Sequence, residues 1–140
     1  MPSPNLNCGI ELHDSVLASL KSVGGKIEIA FQPAYIHKSE GIPGVDPGTG
    51  WTQDIVLAVE SGIAEGQVAE LPVDVSDGEL QVNGQQFQNV IPLPLDYLGS
   101  IELGLLLNSN ERIVIRGSRM TSESVGTAEY VEDFPGVRSR

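Results

Sequence analysis

Apolar and polar residues alternate along most of this chain with a period of two, the pattern of half-buried strands. Ile10 and Leu12 alternate with Glu11 and His13. Val16, Ala18 and Leu20 keep the same period. Val23-Gly-Gly-Lys26 then reads as a hairpin turn into Ile27, Ile29 and Phe31, which alternate with Glu28, Ala30 and Gln32. Tyr35 to His37 extends that second strand. Residues 14–23 have a competing reading. Val16, Leu17, Leu20 and Val23 also suit a short helix capped by Asp14 and closed by Gly24. Strand is preferred because the period fits, and both readings stay open at this point.

Ala34 to Trp51 breaks the pattern. It holds the only Trp, one of two His, and the turn pairs Pro43-Gly44 and Pro47-Gly48. A long loop is expected there, and loops of that length in compact domains are usually functional or mobile. Trp51 opens the next strand, with Gln53, Ile55, Leu57 and Val59 on its face and Thr52, Asp54, Val56, Ala58 and Glu60 on the other. Gly62 to Gly66 reads as a turn. Val68 to Val75 reads as a strand presenting Leu71, Val73 and Val75, with Pro72 marking an edge or a bulge. Asp77-Gly78 reads as a turn. Glu79 to Val82 and Gln85 to Gln88 flank Asn83-Gly84, the preferred pair for a type I′ hairpin. Ile91-Pro-Leu-Pro-Leu95 lacks two backbone donors and belongs on an edge. The clearest hairpin joins Ile101–Leu107 to Arg112–Arg119, with Leu103, Leu105, Leu107, Ile113 and Ile115 inward and Glu102 facing an Arg on the outside. Thr127 to Phe134 is the last strand, with Ala128, Tyr130, Glu132 and Phe134 on one face.

The pattern therefore predicts a mostly-β, single-domain antiparallel β-sandwich or barrel of about eight or nine short strands. The domain spans residues 1–140, with 1–8 a flexible lead-in and 137–140 a tail. The high Gly and Pro content, 16 and 9, fits many turns rather than a fibrous repeat.

Charge narrows the function classes. The net charge is −11. Between Lys38 and Arg112 there are twelve Asp and Glu and no Lys or Arg. Phosphate backbones need cationic contacts, so nucleic acid is not an expected partner, and neither is an anionic membrane. A basic protein partner or a divalent cation suits the field, and plain solubility also accounts for it. Cys8 is the only Cys, so no intramolecular disulfide forms. Met1 to Gly9 has two Pro and no basic residue, unlike a signal peptide. Leu103 to Leu107 is too short to cross a bilayer. A soluble cytoplasmic protein is the expectation. Self-association through the long loop and the edge segment Ile91 to Leu95 is the other partner considered.

His13-Asp14-Ser15 has the residue types of a hydrolase triad, but adjacent strand residues point to opposite faces, so Asp14 would not orient His13. If the first two strands pair about Gly24-Gly25, paired residues sum to about 49 by hairpin geometry. His37 then falls opposite residue 12, beside His13. Two His with Asp14, Glu40 or Asp46 have the donor types of a metal site. Val45 to Trp51 lacks the Gly-Lys-Ser/Thr end of a phosphate loop. Asp74 to Gly78 has its Gly and Glu misplaced for a calcium loop. Trp51 is either a core anchor or a pocket wall with Tyr35. The binding candidates are thus Tyr35, His37, Asp46, Trp51, His13 and Asp14. No catalytic residue, metal ligand or cofactor is assigned.

The opening Glu11-Leu-His-Asp-Ser15 followed by a Gly-Gly hairpin resembles the starts of small uncharacterised bacterial β-proteins, some of them immunity-type proteins of toxin systems. The closing Gly126-Thr-Ala-Glu-Tyr-Val-Glu-Asp-Phe134 is similar in kind. The resemblance covers the two ends of the chain. It implies a mostly-β, cytoplasmic, non-enzymatic protein, and an acidic surface would suit a basic toxin. The expected function is a binding or protein-interaction module. The alternative is a small metal-dependent enzyme using His13, His37 and nearby carboxylates.

Overall fold

Alternating side chains give antiparallel sheets wherever one face can be buried. In the computed structural model, which describes residues 6–137, this chain does so almost throughout. Ten strands form: β1 (Asn7–Glu11), β2 (Val16–Val23), β3 (Lys26–Ser39), β4 (Gly48–Glu60), β5 (Ile63–Glu65), β6 (Val73–Val82), β7 (Gln85–Gln88), β8 (Val90–Leu93), β9 (Asp96–Leu107) and β10 (Arg112–Phe134). There is no helix among the described residues, so residues 14–23 take the strand alternative. Among the described residues, no helix is long and apolar enough to cross a membrane.

All ten strands belong to one antiparallel sheet; eight follow the order β2-β6-β9-β10-β4-β3-β1-β8, while β5 pairs with β10 and β7 with β6. β2 also pairs with β3, so the six strands from β2 to β3 in that order roll round on themselves. The β2–β6 seam is only two pairs wide, Val16↔Asp74 and Leu17↔Val73. The result is a rolled sheet with a narrow closure rather than a regular barrel. At the other end β1 and β8 extend the sheet beyond β3. The chain then crosses to enter β9 beside β10, where Ser122 N–H donates to the Leu95 carbonyl at 3.1 Å.

The core lies inside the roll. Phe31, Ile29, Ile55, Leu57, Leu80, Leu103 and Leu105 are among its fully buried side chains. The Leu103, Leu105 and Leu107 face and its Ile113 and Ile115 partners are buried as the alternation predicts. Asn83 and Gly84 both have positive φ (51° and 87°), as a type I′ turn requires. β8, with Pro92 inside it, ends the sheet order, and Arg116 pairs with Glu102.

Five expectations are corrected. The long loop shrinks to Glu40–Pro47, because β3 continues past Pro33 and β4 starts at Gly48. Pairing steps from Phe31↔Ile55 to Ala34↔Gln53, so the extra residue makes a bulge that absorbs a proline without a ladder hydrogen bond. Ile63–Glu65 is a strand on β10, not part of a turn. The strand expected from Val68 begins only at Val73, beyond Pro72. Asp77-Gly78 lies within β6 beside a bulge, where a Cβ on Gly78 would meet Leu12 Cδ1 at 2.5 Å. Asn7 and Cys8 sit in β1 rather than in a lead-in. Residues 1–5 and 138–140, the rest of the expected lead-in and tail, lie outside the described residues.

Candidate functional site

The register of β8, β1, β3, β4 and β10 sets two neighbouring rows of side chains on one outer face. One row is Val90, Glu11, Tyr35 and Thr52; the next is Pro92, Gly9, His37, Gly50 and Glu132. His37 is thus flanked by glycine on both sides. A Cβ on Gly50 would collide with the Tyr35 hydroxyl, so the missing side chain lets the Tyr35 ring lie across that strand. Tyr35 and Phe134 both meet His37 edge-on, with centroids 5.1 and 4.9 Å away. Phe134 and Glu132 reach this face because β10 bulges between Tyr130 and Glu132. Tyr130 consequently stays on the opposite face beside Trp51, and the expected shared face of Tyr130, Glu132 and Phe134 is split.

Between β1 and β2 the chain turns sharply, with Asp14 in the left-handed region at φ 76°. An Asp tolerates that conformation better than most residues. Ser15 fixes the turn: its hydroxyl donates to the Glu11 carbonyl at 2.6 Å and accepts from Tyr35 N–H at 3.0 Å. Asn89 holds the other side, accepting from Leu12 N–H at its carbonyl and from His13 N–H at its side chain, at 2.8 and 2.7 Å. This is why His13 and Asp14 do not point apart as strand neighbours would. Their Nδ1 and Oδ1 atoms are 3.4 Å apart. The Ser15 hydroxyl is fully buried and engaged with backbone, so no nucleophile accompanies them.

Glu11 is the centre of the cluster. Its Oε1 lies 2.6 Å from His37 Nε2 and its Oε2 3.3 Å from His13 Nδ1. His37 Nδ1 is buried without a hydrogen-bond partner. A bare lone pair costs less there than an orphaned N–H, which places the His37 proton on Nε2, donated to Glu11. Burial pulls the Glu11 carboxyl up, but hydrogen bonds from His37, Asp14 and His13 outweigh it and hold the group below its ordinary range. Asp14 moves the other way, raised by burial and by the neighbouring Glu11 carboxyl. Burial and the 2.6 Å bond it donates to Glu132 keep the Tyr35 hydroxyl protonated.

Of the six residues singled out in the sequence, the fold brings Tyr35, His37, His13 and Asp14 together. It leaves two elsewhere. Asp46 accepts from Ile42 N–H at 2.6 Å and serves its own loop. Trp51 pairs with Ile36 and faces away from Tyr35, with Lys38 Nζ 4.4 Å over its ring and Thr49 accepting from its indole N–H. A shared Trp51–Tyr35 pocket is therefore ruled out. The histidine pairing is also corrected. Sums of 49 hold from Val23↔Lys26 to Ser19↔Ala30, but a bulge follows, and His37 pairs with Gly9. The two histidines are joined instead through Glu11. Glu11 was missed, although it stands two positions before His13, the spacing that shares a strand face. Glu132 was out of reach without the bulge.

Beside the cluster the Glu40–Pro47 loop folds over the same face. Gly44 packs against Val90, where a Cβ would stand 2.9 Å from that side chain. The gap between loop and sheet is an apolar cleft of about 450 Å³, lined by Pro43, Val45, Phe87, Val90 and Pro92 among others. Ile42 and Val45 on its lip are 61% and 48% exposed. Glu40 and Asp46 lie in the same loop, and Gln88 separates the cleft from a smaller depression with Asp77, Glu79 and Arg112.

The fold and this face define a single-domain antiparallel β protein with a polar cluster and an apolar cleft side by side. Comparison of the chain with protein-family models, curated proteins and solved structures found no match.

Proposed function

We propose that the protein is a non-enzymatic interaction module that binds a basic protein partner through the cleft under the Glu40–Pro47 loop. One observation carries this reading: an exposed apolar cleft lies under a loop that itself carries Glu40 and Asp46, in a stretch with twelve Asp and Glu and no Lys or Arg. Exposed apolar surface bordered by polar groups is typical of docking sites. The charge selects the partner: an apolar side chain flanked by Lys or Arg gains from the field, and an acidic segment is repelled. Neutralising a basic toxin, as the opening Glu11-Leu-His-Asp-Ser15 resemblance implies, is one form of that role. The reading as a metal-dependent enzyme has its own support, the convergence of His13 and His37 on Glu11.

The test uses a defined probe, a synthetic peptide of alternating Lys and Leu, titrated into isotope-labelled protein and followed by amide shifts. Shifts are expected at residues 42–45 and 87–92, weakening as salt is raised to ~0.5 M. Val45→Asp is expected to abolish them. Equal binding of a Glu/Leu peptide, or shifts elsewhere, would overturn the proposal. A dimer that dissociates in Val45→Asp would assign the cleft to a second copy of the chain.

A further inference from the structure

Ligand-type atoms of Glu11, His13 and Asp14 gather at the turn after β1. His13 Nδ1 is 3.3 Å from Glu11 Oε2 and 3.4 Å from Asp14 Oδ1. Charge-assisted N–H···O bonds run about 2.7–2.9 Å. The protein makes a short contact on the other Glu11 oxygen, 2.6 Å to His37. The His13 contacts are therefore at the long, weak end of the hydrogen-bond range. Their spacing also fits the edge of a coordination shell: two ligands about 2.1 Å from one ion, about 100–109° apart, are separated by about 3.2–3.4 Å. All three ligand atoms lie within 4.8 Å of one another.

A second feature lies beneath them. His37 is 4% exposed and its Nδ1 has no partner, so the one polar bond of a buried ring goes to Glu11. That bond occupies Oε1 and leaves Oε2 turned toward His13. Carboxylates that ligate metals are commonly held by just such a partner behind them. Asn89 and Ser15 fix the backbone of the turn from either side, so the donors need little reorganisation. His13 and Asp14 are half exposed, leaving room for water to complete the shell.

We propose that Glu11 Oε2, His13 Nδ1 and Asp14 Oδ1 form a binding site for a first-row divalent cation of the zinc class, with His37 as the positioning residue behind Glu11. The donor set chooses the ion. One imidazole nitrogen with two carboxylates suits zinc and its neighbours, whereas calcium and magnesium favour all-oxygen shells. The net charge of −11 draws cations toward the surface. This site does not depend on the cleft or its partner.

The experiment is calorimetric titration of zinc chloride into the untagged full chain. One-to-one binding is expected, weakened tenfold or more by His13→Ala and by Glu11→Gln. Glu123→Gln, on an exposed residue of β10, is expected to bind as the unaltered chain does. His13 is half exposed, so His13→Ala keeps the fold and remains informative if Glu11→Gln does not. Absence of binding tighter than millimolar, or full binding by His13→Ala, would overturn the site. So would loss of binding in Cys8→Ser, which would place the ion at the thiol. Preference for calcium over zinc would overturn the ligand class.

Discussion

At the scale of single residues, the Glu11–His37 pair is the contact with the largest expected consequence. His37→Ala removes a buried ring and strips Glu11 of its short bond, so a loss of about 2–4 kcal/mol is expected in denaturant unfolding. The two carboxyls of the cluster titrate with opposite signs. The Glu11 pKa is depressed by folding, so its contribution is complete above its ordinary 4.5 and is lost as pH falls through the folded value. The Asp14 pKa is raised, so ionising it costs stability as pH rises from its ordinary 3.8 through the folded value. Thermal unfolding as a function of pH separates them. The difference between the unaltered protein and Glu11→Gln should shrink below pH 4.5. Asp14→Asn should unfold slightly higher at neutral pH, by about a few tenths of a kcal/mol because the group is exposed and screened. If Asp14→Asn unfolds lower instead, the carboxylate is not repelled by Glu11 in the folded protein.

At the scale of elements, bulges and glycines decide which side chains meet. A bulge on β3 swallows Pro33 and lets the strand run to Ser39. A bulge on β10 turns Glu132 and Phe134 to the His37 face. Asp77-Gly78 has the composition of a turn, as Asp-Gly pairs usually do. The place of Gly78 in β6 has a packing cause: Leu12 and Leu105 occupy the space a side chain would need, the latter 3.2 Å from a built Cβ. Gly78→Ala should therefore destabilise the protein by about 1–3 kcal/mol, measured by denaturant unfolding. A neutral result would mean that Leu12 moves freely.

At the scale of the whole molecule, one rolled sheet closes through the two-pair β2–β6 seam. Few hydrogen bonds protect such a seam, and local opening starts where protection is least. Native-state hydrogen exchange should find the Val16, Leu17 and Val73 amides faster than those in the middle of β3 and β4. Equal protection would show that the roll opens only globally. Net charge acts at the same scale. With −11 on 140 residues, self-repulsion opposes the compact state, so raising salt from ~0.02 to ~0.3 M should raise the unfolding midpoint.

The sequence by itself determined the strand class, the Asn83-Gly84 hairpin, the edge position of the Ile91-Pro-Leu segment and that Glu102 faces an Arg across the last hairpin, which the structure identifies as Arg116. These follow from period-two burial and short-range turn chemistry, which a linear pattern carries in full. It also marked Tyr35, His37, His13 and Asp14, since their types stand out in a chain with few aromatic or imidazole groups. Only the tertiary structure decided that Glu11 joins them, that Asp46 and Trp51 do not, and that the long loop is mostly strand. A one-residue bulge flips every later side chain to the other face, and no local pattern shows where it falls. Tight approaches, such as Tyr35 over Gly50, depend on strands distant in sequence, so the cluster and its cleft came into view only with the register.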